Sequence, residues 1–268
     1  MKFEQVEKKV INPPAAHNVA RLLEPDSETK TVENIANFAL SIPAFNYLPA
    51  QAVIRDRVAL GIDLDTGVKT VRQAGAPSGR EHNETLVRAF FIHDDSRKYS
   101  DARVVSSYVG QFKISRDISV PTSATFTILE NGKQVPVVLC GWKSFGLRRE
   151  QIRAWLSMLD SGLFSFADYA DSPWEVLIMA EQDQPDGLIR MPRTISRGEY
   201  KLFSASELRD LAMMYAAAQK AAMPLARELW EKREQARSER NERNREVTEA
   251  PKDESSLVQH DMFASEHD

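Results

Sequence analysis

The chain reads as an α+β protein: an antiparallel sheet of hairpins with a packed helix, then a long C-terminal helix and a disordered tail. Three observations predict this. Asn131-Gly132 stands between two apolar runs, Ser204 and Glu207 open a helix-period stripe, and beyond Val247 the chain turns to charges with few apolar residues. They divide the sequence into a weakly ordered arm (1–30), an α+β domain (31–203), a helix (204–247) kinked near Pro224, and a tail (248–268).

The arm is suggested by Pro13-Pro14 and the polar run Glu24-Pro25-Asp26-Ser27-Glu28. From Thr31, the spacing of Val32, Ile35, Ala36, Phe38 and Ala39 predicts a short helix stopped before Pro43, because proline disfavours helical backbone at the residue before it. From Ala52 to about Pro192 the pattern is strand-like. Val53-Ile54 and Val58 to Ile62 precede a turn at Asp65-Thr66-Gly67, and Val68 to Val71 alternates, together predicting a hairpin. Gln73 to Asn83, with Gly75, Pro77 and Gly79, reads as a mobile loop, and Leu86 to His93 as a buried apolar run. Val104 to Ile114 and Ala124 to Leu129 are further strands. Asn131-Gly132 supplies the positive φ angles that a type I′ turn needs between Thr125–Leu129 and Val135–Leu139. Leu147 to Asp160 places Ile152, Trp155, Leu156 and Leu159 on one helical face, with Gly162 as the stop. Trp174 to Ala180 is a buried strand that Asp186-Gly187 returns into Leu188–Met191.

Ser204 with Glu207 is a capping box, in which each side chain satisfies a backbone N–H of the other residue. Leu208, Leu211, Tyr215, Ala218, Ala222, Leu225 and Leu229 follow as one stripe. Pro224 lies inside it and predicts a kink or break, since it lacks an N–H and crowds the preceding turn. Glu231 to Glu246 is dense in charges of both signs. It reads as a solvated helical extension held by i,i+4 pairs, and its near-zero net charge argues against a nucleic-acid arm.

Composition excludes several classes. The chain has 268 residues, is 42% hydrophobic, and carries a net charge of −4. Its single cysteine rules out an internal disulfide framework and any multi-cysteine zinc site. With five scattered histidines, neither a metal nor another cofactor is expected. No stretch approaches the roughly 20 apolar residues of a membrane span, and the first residues lack the apolar core of a secretory signal. A cytoplasmic protein with no membrane partner is the simplest expectation. The acidic balance removes the argument for a globally basic nucleic-acid binder.

The tail carries one apolar cluster, Leu257-Val258 and Met262-Phe263, among charges. Large apolar groups in a polar tail point to burial elsewhere, in a partner or back on the domain. Gln259-His260-Asp261-Met262-Phe263 resembles the pentapeptide by which bacterial replication and repair proteins bind the DNA polymerase sliding clamp. Those peptides carry Gln first, a small or acidic residue third, an aliphatic residue fourth and Phe fifth. Gln259, Asp261, Met262 and Phe263 match, while His260 stands where Leu is usual. The resemblance covers five residues and implies nothing about the fold. It implies a non-catalytic accessory protein of bacterial, phage or plasmid DNA replication or repair. The charged helix and tail would then act as a tether. A clamp-blocking toxin or phage inhibitor would use the same segment.

An enzyme is the competing class. Asp63 and Asp65 face one side if the segment is a strand, and so suggest a metal-dependent hydrolase or nuclease. Asp65-Thr66-Gly67 resembles the catalytic triplet of retroviral-type aspartic proteases, but Val68 follows where a small residue is usual, and no second Asp-Thr-Gly exists. The same three residues also suit an ordinary turn. His93-Asp94-Asp95 offers metal ligands or a polar junction, and Cys140 on an apolar strand reads as core. Finally, Lys133, Trp142, Lys143, Arg148, Arg149 and Arg153 form a basic and aromatic cluster, with Arg97, Lys98, Arg103, Lys113 and Arg116 upstream. Positive charge beside exposed rings is how single- or double-stranded DNA would be contacted, phosphates on cations and unpaired bases on rings. The alternative is a solvated surface with Trp142 and Trp155 in the core.

Overall fold

Six helices precede the first strand in the computed structural model, which describes residues 1–184 and 187–249. α1 (Phe3–Ile11) buries Val6 and Val10, and α2 (Ala16–Leu22) buries Val19, Ala20 and Leu22. The expected arm is therefore part of the core. Pro13-Pro14 separates two helices instead of marking a lack of structure. α3 (Glu28–Leu40) starts at Ser27, whose hydroxyl accepts from the Lys30 N–H at 3.3 Å, and ends before Pro43 as expected.

The largest correction concerns residues 48–97. The hairpin expected around Asp65-Thr66-Gly67 is a helical unit: α4 (Leu48–Leu60), α5 (Leu64–Gln73) and α6 (Arg80–Arg97). Ala50, Val53, Ile54 and Val58 are buried at helical spacing on α4, as are Leu86, Val87, Phe90 and Phe91 on α6. Gly67 lets α5 close on its neighbours, because a Cβ there would meet Val53 at 3.0 Å and Phe91 at 3.2 Å. The expected loop from Gln73 to Asn83 shrinks to a short link, with a single 3-10 turn at Pro77–Gly79 before α6.

The strands follow. β1 (Arg103–Val105), β4 (Phe126–Glu130), β5 (Lys133–Cys140), β6 (Glu175–Gln184) and β7 (Gly187–Ser196) form a sheet in the order β1-β4-β5-β6-β7. β2 (Val109–Lys113) and β3 (Ser119–Ser123) pair separately. Asn131 and Gly132 adopt φ of 49° and 76° between β4 and β5, the turn their sequence predicts. All pairings in the large sheet are antiparallel except β5 with β6. Those two strands are parallel because the chain between them crosses over through α7 (Arg149–Leu159), as parallel neighbours require. Of the second predicted turn, Asp186 lies outside the described residues.

Val53, Ile54, Val58, Val71, Leu86 and Phe90 pack with Ile128, Val135, Val137, Leu177 and Met179 in one core cluster. Every residue of β5 from Val135 to Cys140 is buried. Successive side chains alternate between faces, so both faces of this strand are covered. Cys140 is core as expected, and burial pushes its thiol up to about 12.

α8 (Ala205–Glu249) opens with the predicted capping box. The Ser204 N–H donates to Glu207 Oε2 at 2.7 Å, and the Glu207 N–H donates to Ser204 Oγ at 3.3 Å. Leu211, Tyr215, Ala218, Ala222 and Ala226 are buried at helical spacing. The helix runs through Pro224 without the break that was one expectation there. Burial of Ala222 and Ala226 on either side holds the backbone where proline removes one hydrogen bond. The chain divides after Ala226. The second unit begins as the charge-rich part of α8, where side chains from Glu231 to Asn244 are exposed apart from half-buried Glu234. Lys232 donates to Glu228 at 2.6 Å and Gln235 to Glu239 at 3.2 Å, the i,i+4 pairing expected of a solvated extension.

Candidate nucleic-acid interface

The basic cluster read from the sequence is only partly assembled. Lys133 opens β5 and donates to the Asp171 carbonyl at 3.0 Å, whereas Trp142 and Lys143 follow the strand's far end. Eight extended residues put them roughly 26 Å apart. Arg148 forms an ion pair with Glu24. Arg153 donates to Glu150 at 2.6 Å and to the Lys201 carbonyl at 2.8 Å, and lies over the Phe203 ring at 4.3 Å. Arg149 is exposed at the start of α7. Of the upstream cations, Arg97 is engaged by Glu130 at 2.7 Å and Glu175 at 2.6 Å. Lys133, Arg148, Arg153 and Arg97 thus already hold partners within the protein.

What the fold does bring to Trp142 comes from α2. His17 and Arg21, four residues apart, share one face of that helix. The Arg21 guanidinium lies 5.4 Å from the Trp142 ring centre, within cation–π range. His17 meets Trp142 edge-on at 5.2 Å and Trp155 at 6.0 Å, and Phe145 stands 6.2 Å from Trp142. Arg21 and Lys143 are exposed, and among the described residues no carboxylate pairs with either. The result is two unpaired cations around a half-buried indole, the combination that holds phosphates and stacks bases.

Both sides of this patch are fixed from the core. α2 ends on the buried Gln151 side chain of α7, which donates to the Leu23 carbonyl at 2.9 Å. The Trp142 loop is held by Arg190, whose fully buried guanidinium donates to the carbonyls of Met179 at 2.5 Å, Gly141 at 3.1 Å and Trp142 at 3.3 Å. Glu181 neutralises that cation at 2.8 Å. The loop also lies tight on α6, since a Cβ on Gly141 would meet Leu86 at 2.4 Å.

Beside the patch is an open cavity of about 240 Å³. His17 and Trp155 form its wall on the patch side, Gln51 and Arg55 of α4 its polar side, and Ser123 and Leu139 part of the sheet side. Burial pushes His17 down to about 4, so the ring is neutral at pH 7. Asn18 Nδ2 donates to His17 Nε2 at 3.1 Å, which leaves the ring proton on Nδ1.

The enzyme candidates are placed differently from expectation. Asp63 and Asp65 do not stand on a strand. Asp63 caps α5, accepting from the Thr66 N–H at 2.7 Å, and that hydrogen bond holds its carboxyl below the usual range. Asp65 is exposed in the first turn of the same helix. His93-Asp94-Asp95 ends α6, where buried Asp94 accepts from Arg57 at 2.8 Å and from the Ser100 hydroxyl at 2.7 Å. Among the described residues no group of three or more His, Cys, Asp or Glu side chains could hold a metal. No helix among them is long and apolar enough to cross a membrane. Gln259, Asp261, Met262 and Phe263 lie outside the described residues. No known protein family, curated protein or solved structure matches the chain.

Reading the sequence alone selected Trp142 and Lys143 but missed His17, Arg21 and Arg55. The first two lay in the supposed arm and the third in a supposed strand. The i,i+4 spacing of His17 and Arg21 was the available signal.

Proposed function

We propose that the protein is a non-catalytic accessory factor of bacterial, phage or plasmid DNA replication or repair. It docks on the DNA polymerase sliding clamp through Gln259–Phe263 and touches DNA with the Arg21–Trp142–Lys143 patch. The observation that carries this reading is the setting of the pentapeptide. It follows a helix that is charged and solvent-exposed from Glu231 to Asn244 apart from half-buried Glu234, with no apolar stripe on which Met262 and Phe263 could pack. Burying two such side chains in a partner's pocket yields roughly 3–6 kcal/mol before the cost of ordering the chain. Docking of this kind is weak and reversible, and suits a tethered factor that must release.

The test is binding of the full chain to immobilised purified bacterial clamp, compared with a variant carrying Gln259→Ala, Met262→Ala and Phe263→Ala. Saturable binding that the triple variant loses supports the reading. No binding, or equal binding by both, overturns it. Expression in cells separates a supportive factor from a blocker, since only a blocker arrests growth.

A further inference from the structure

Gln51 and Arg55 are four residues apart on α4, line the cavity together, and have no side-chain partner among the described residues. Gln51 offers an amide that both donates and accepts, and Arg55 an exposed cation. His17 is common to the cavity and the patch: it lines the cavity with Trp155 and its ring also meets Trp142. A flat ring, an amide and a cation around one small opening suit a planar heterocycle with an attached anion. An apolar cavity of about 150 Å³ accepts benzene, so 240 Å³ has room for one nucleobase.

We infer that this cavity receives a single unpaired nucleobase, with Gln51 reading its polar edge, Arg55 holding its phosphate and the next base stacking on Trp142. The inference rests on the proposed contact between the body and DNA, and narrows it to single strands. A paired base is enclosed in the duplex stack and reaches such a site only by leaving it. Arg21 and Lys143, beside Trp142, take the following phosphates, so the strand runs from α4 past α2 to the loop after β5. The same chemistry, one base with one phosphate, is also presented by a free nucleotide.

The experiment is fluorescence anisotropy of the full chain with a labelled single strand of about 15 nucleotides, a length within the usual site sizes. A duplex of the same length and unlabelled dTMP as competitor form the other arms. Expected are at least tenfold tighter binding of the single strand than of the duplex, and about tenfold weakening by Arg55→Gln and by Trp142→Ala. The salt slope should fall by about 0.7 for Arg55→Gln. Lys133→Gln, away from the proposed track, should change nothing. Thermal melting checks that each variant is folded, and Arg21→Gln offers a second test of the patch. Competition by dTMP that Arg55→Gln abolishes supports the cavity as the base-and-phosphate site. Stronger binding of the strand than of dTMP assigns a strand as the source, and the reverse assigns a free nucleotide. If Trp142→Ala weakens binding while Arg55→Gln does not, the cavity inference is overturned and the patch reading survives. If no nucleic acid binds, both fall, while docking on the clamp stands or falls by its own measurement.

Discussion

One helix, α8, contains two solutions to the problem of staying folded. Its first part buries Leu211, Tyr215, Ala218, Ala222 and Ala226 at helical spacing. Its later part exposes nearly every side chain from Glu231 to Asn244 and relies on pairs such as Lys232 with Glu228. The first kind of helix is stabilised by area removed from water, the second by many contacts of a few tenths of a kcal/mol each. The difference teaches where sequence changes will be felt. In the body the buried Arg190 guanidinium is matched by carbonyls and a carboxylate. In the extension charges can be exchanged with little consequence.

The sharpest way to break this contrast is Arg190→Ala. It takes the guanidinium from the Glu181 carboxylate, whose side chain is 4% exposed, leaves that carboxylate with His82 Nδ1 at 3.0 Å, and frees the Trp142 loop. A loss of about 3–5 kcal/mol is expected in denaturant unfolding. A loss below about 1 kcal/mol would mean that water enters the site and the body is less dry than it looks.

A second effect follows from His17. In the unfolded chain it takes a proton near its ordinary 6.5, but in the folded protein only near 4. Its contribution is complete above pH 6.5 and declines as pH falls from 6.5 to 4, because the unfolded state then binds the extra proton. The decline amounts to up to about 3 kcal/mol. His17→Asn should flatten that part of the stability profile relative to the parent protein, measured by urea midpoints at pH 7, 5 and 4. Parallel profiles would show that His17 is solvated.

The smallest effect is in the extension. Lys232→Ala should change stability by less than about 0.5 kcal/mol, with helicity by circular dichroism nearly unchanged. A larger change would show that this part of α8 is packed against something, and the two halves would no longer differ in kind.

Much of the architecture was legible in local signals. The type I′ turn at Asn131-Gly132, the capping box at Ser204 and Glu207, the α7 face carrying Trp155, and the strand after Trp174 all reflect backbone preferences set within a few residues. Residues 48–73 were misread because Val53, Ile54, Val58, Val68 and Val71 favour strands when taken one at a time. Their positions, with Ala50, fit a helical face, and Gly61 and Asp63 punctuate two helices. Periodicity outranked propensity there, because helix packing buries that face against the sheet.

By itself the sequence determined the α+β class, the long final helix and the charged character of its end, since those follow from hydrophobic period and capping chemistry. Which cations stay unpaired was decided only in three dimensions. Arg148 meets Glu24, 124 positions away, while Arg21 reaches Trp142 from a helix more than a hundred positions earlier in the chain. Whether a charge is matched depends on which carboxylate the fold carries to it. Spacing along the chain carries no information about such partners.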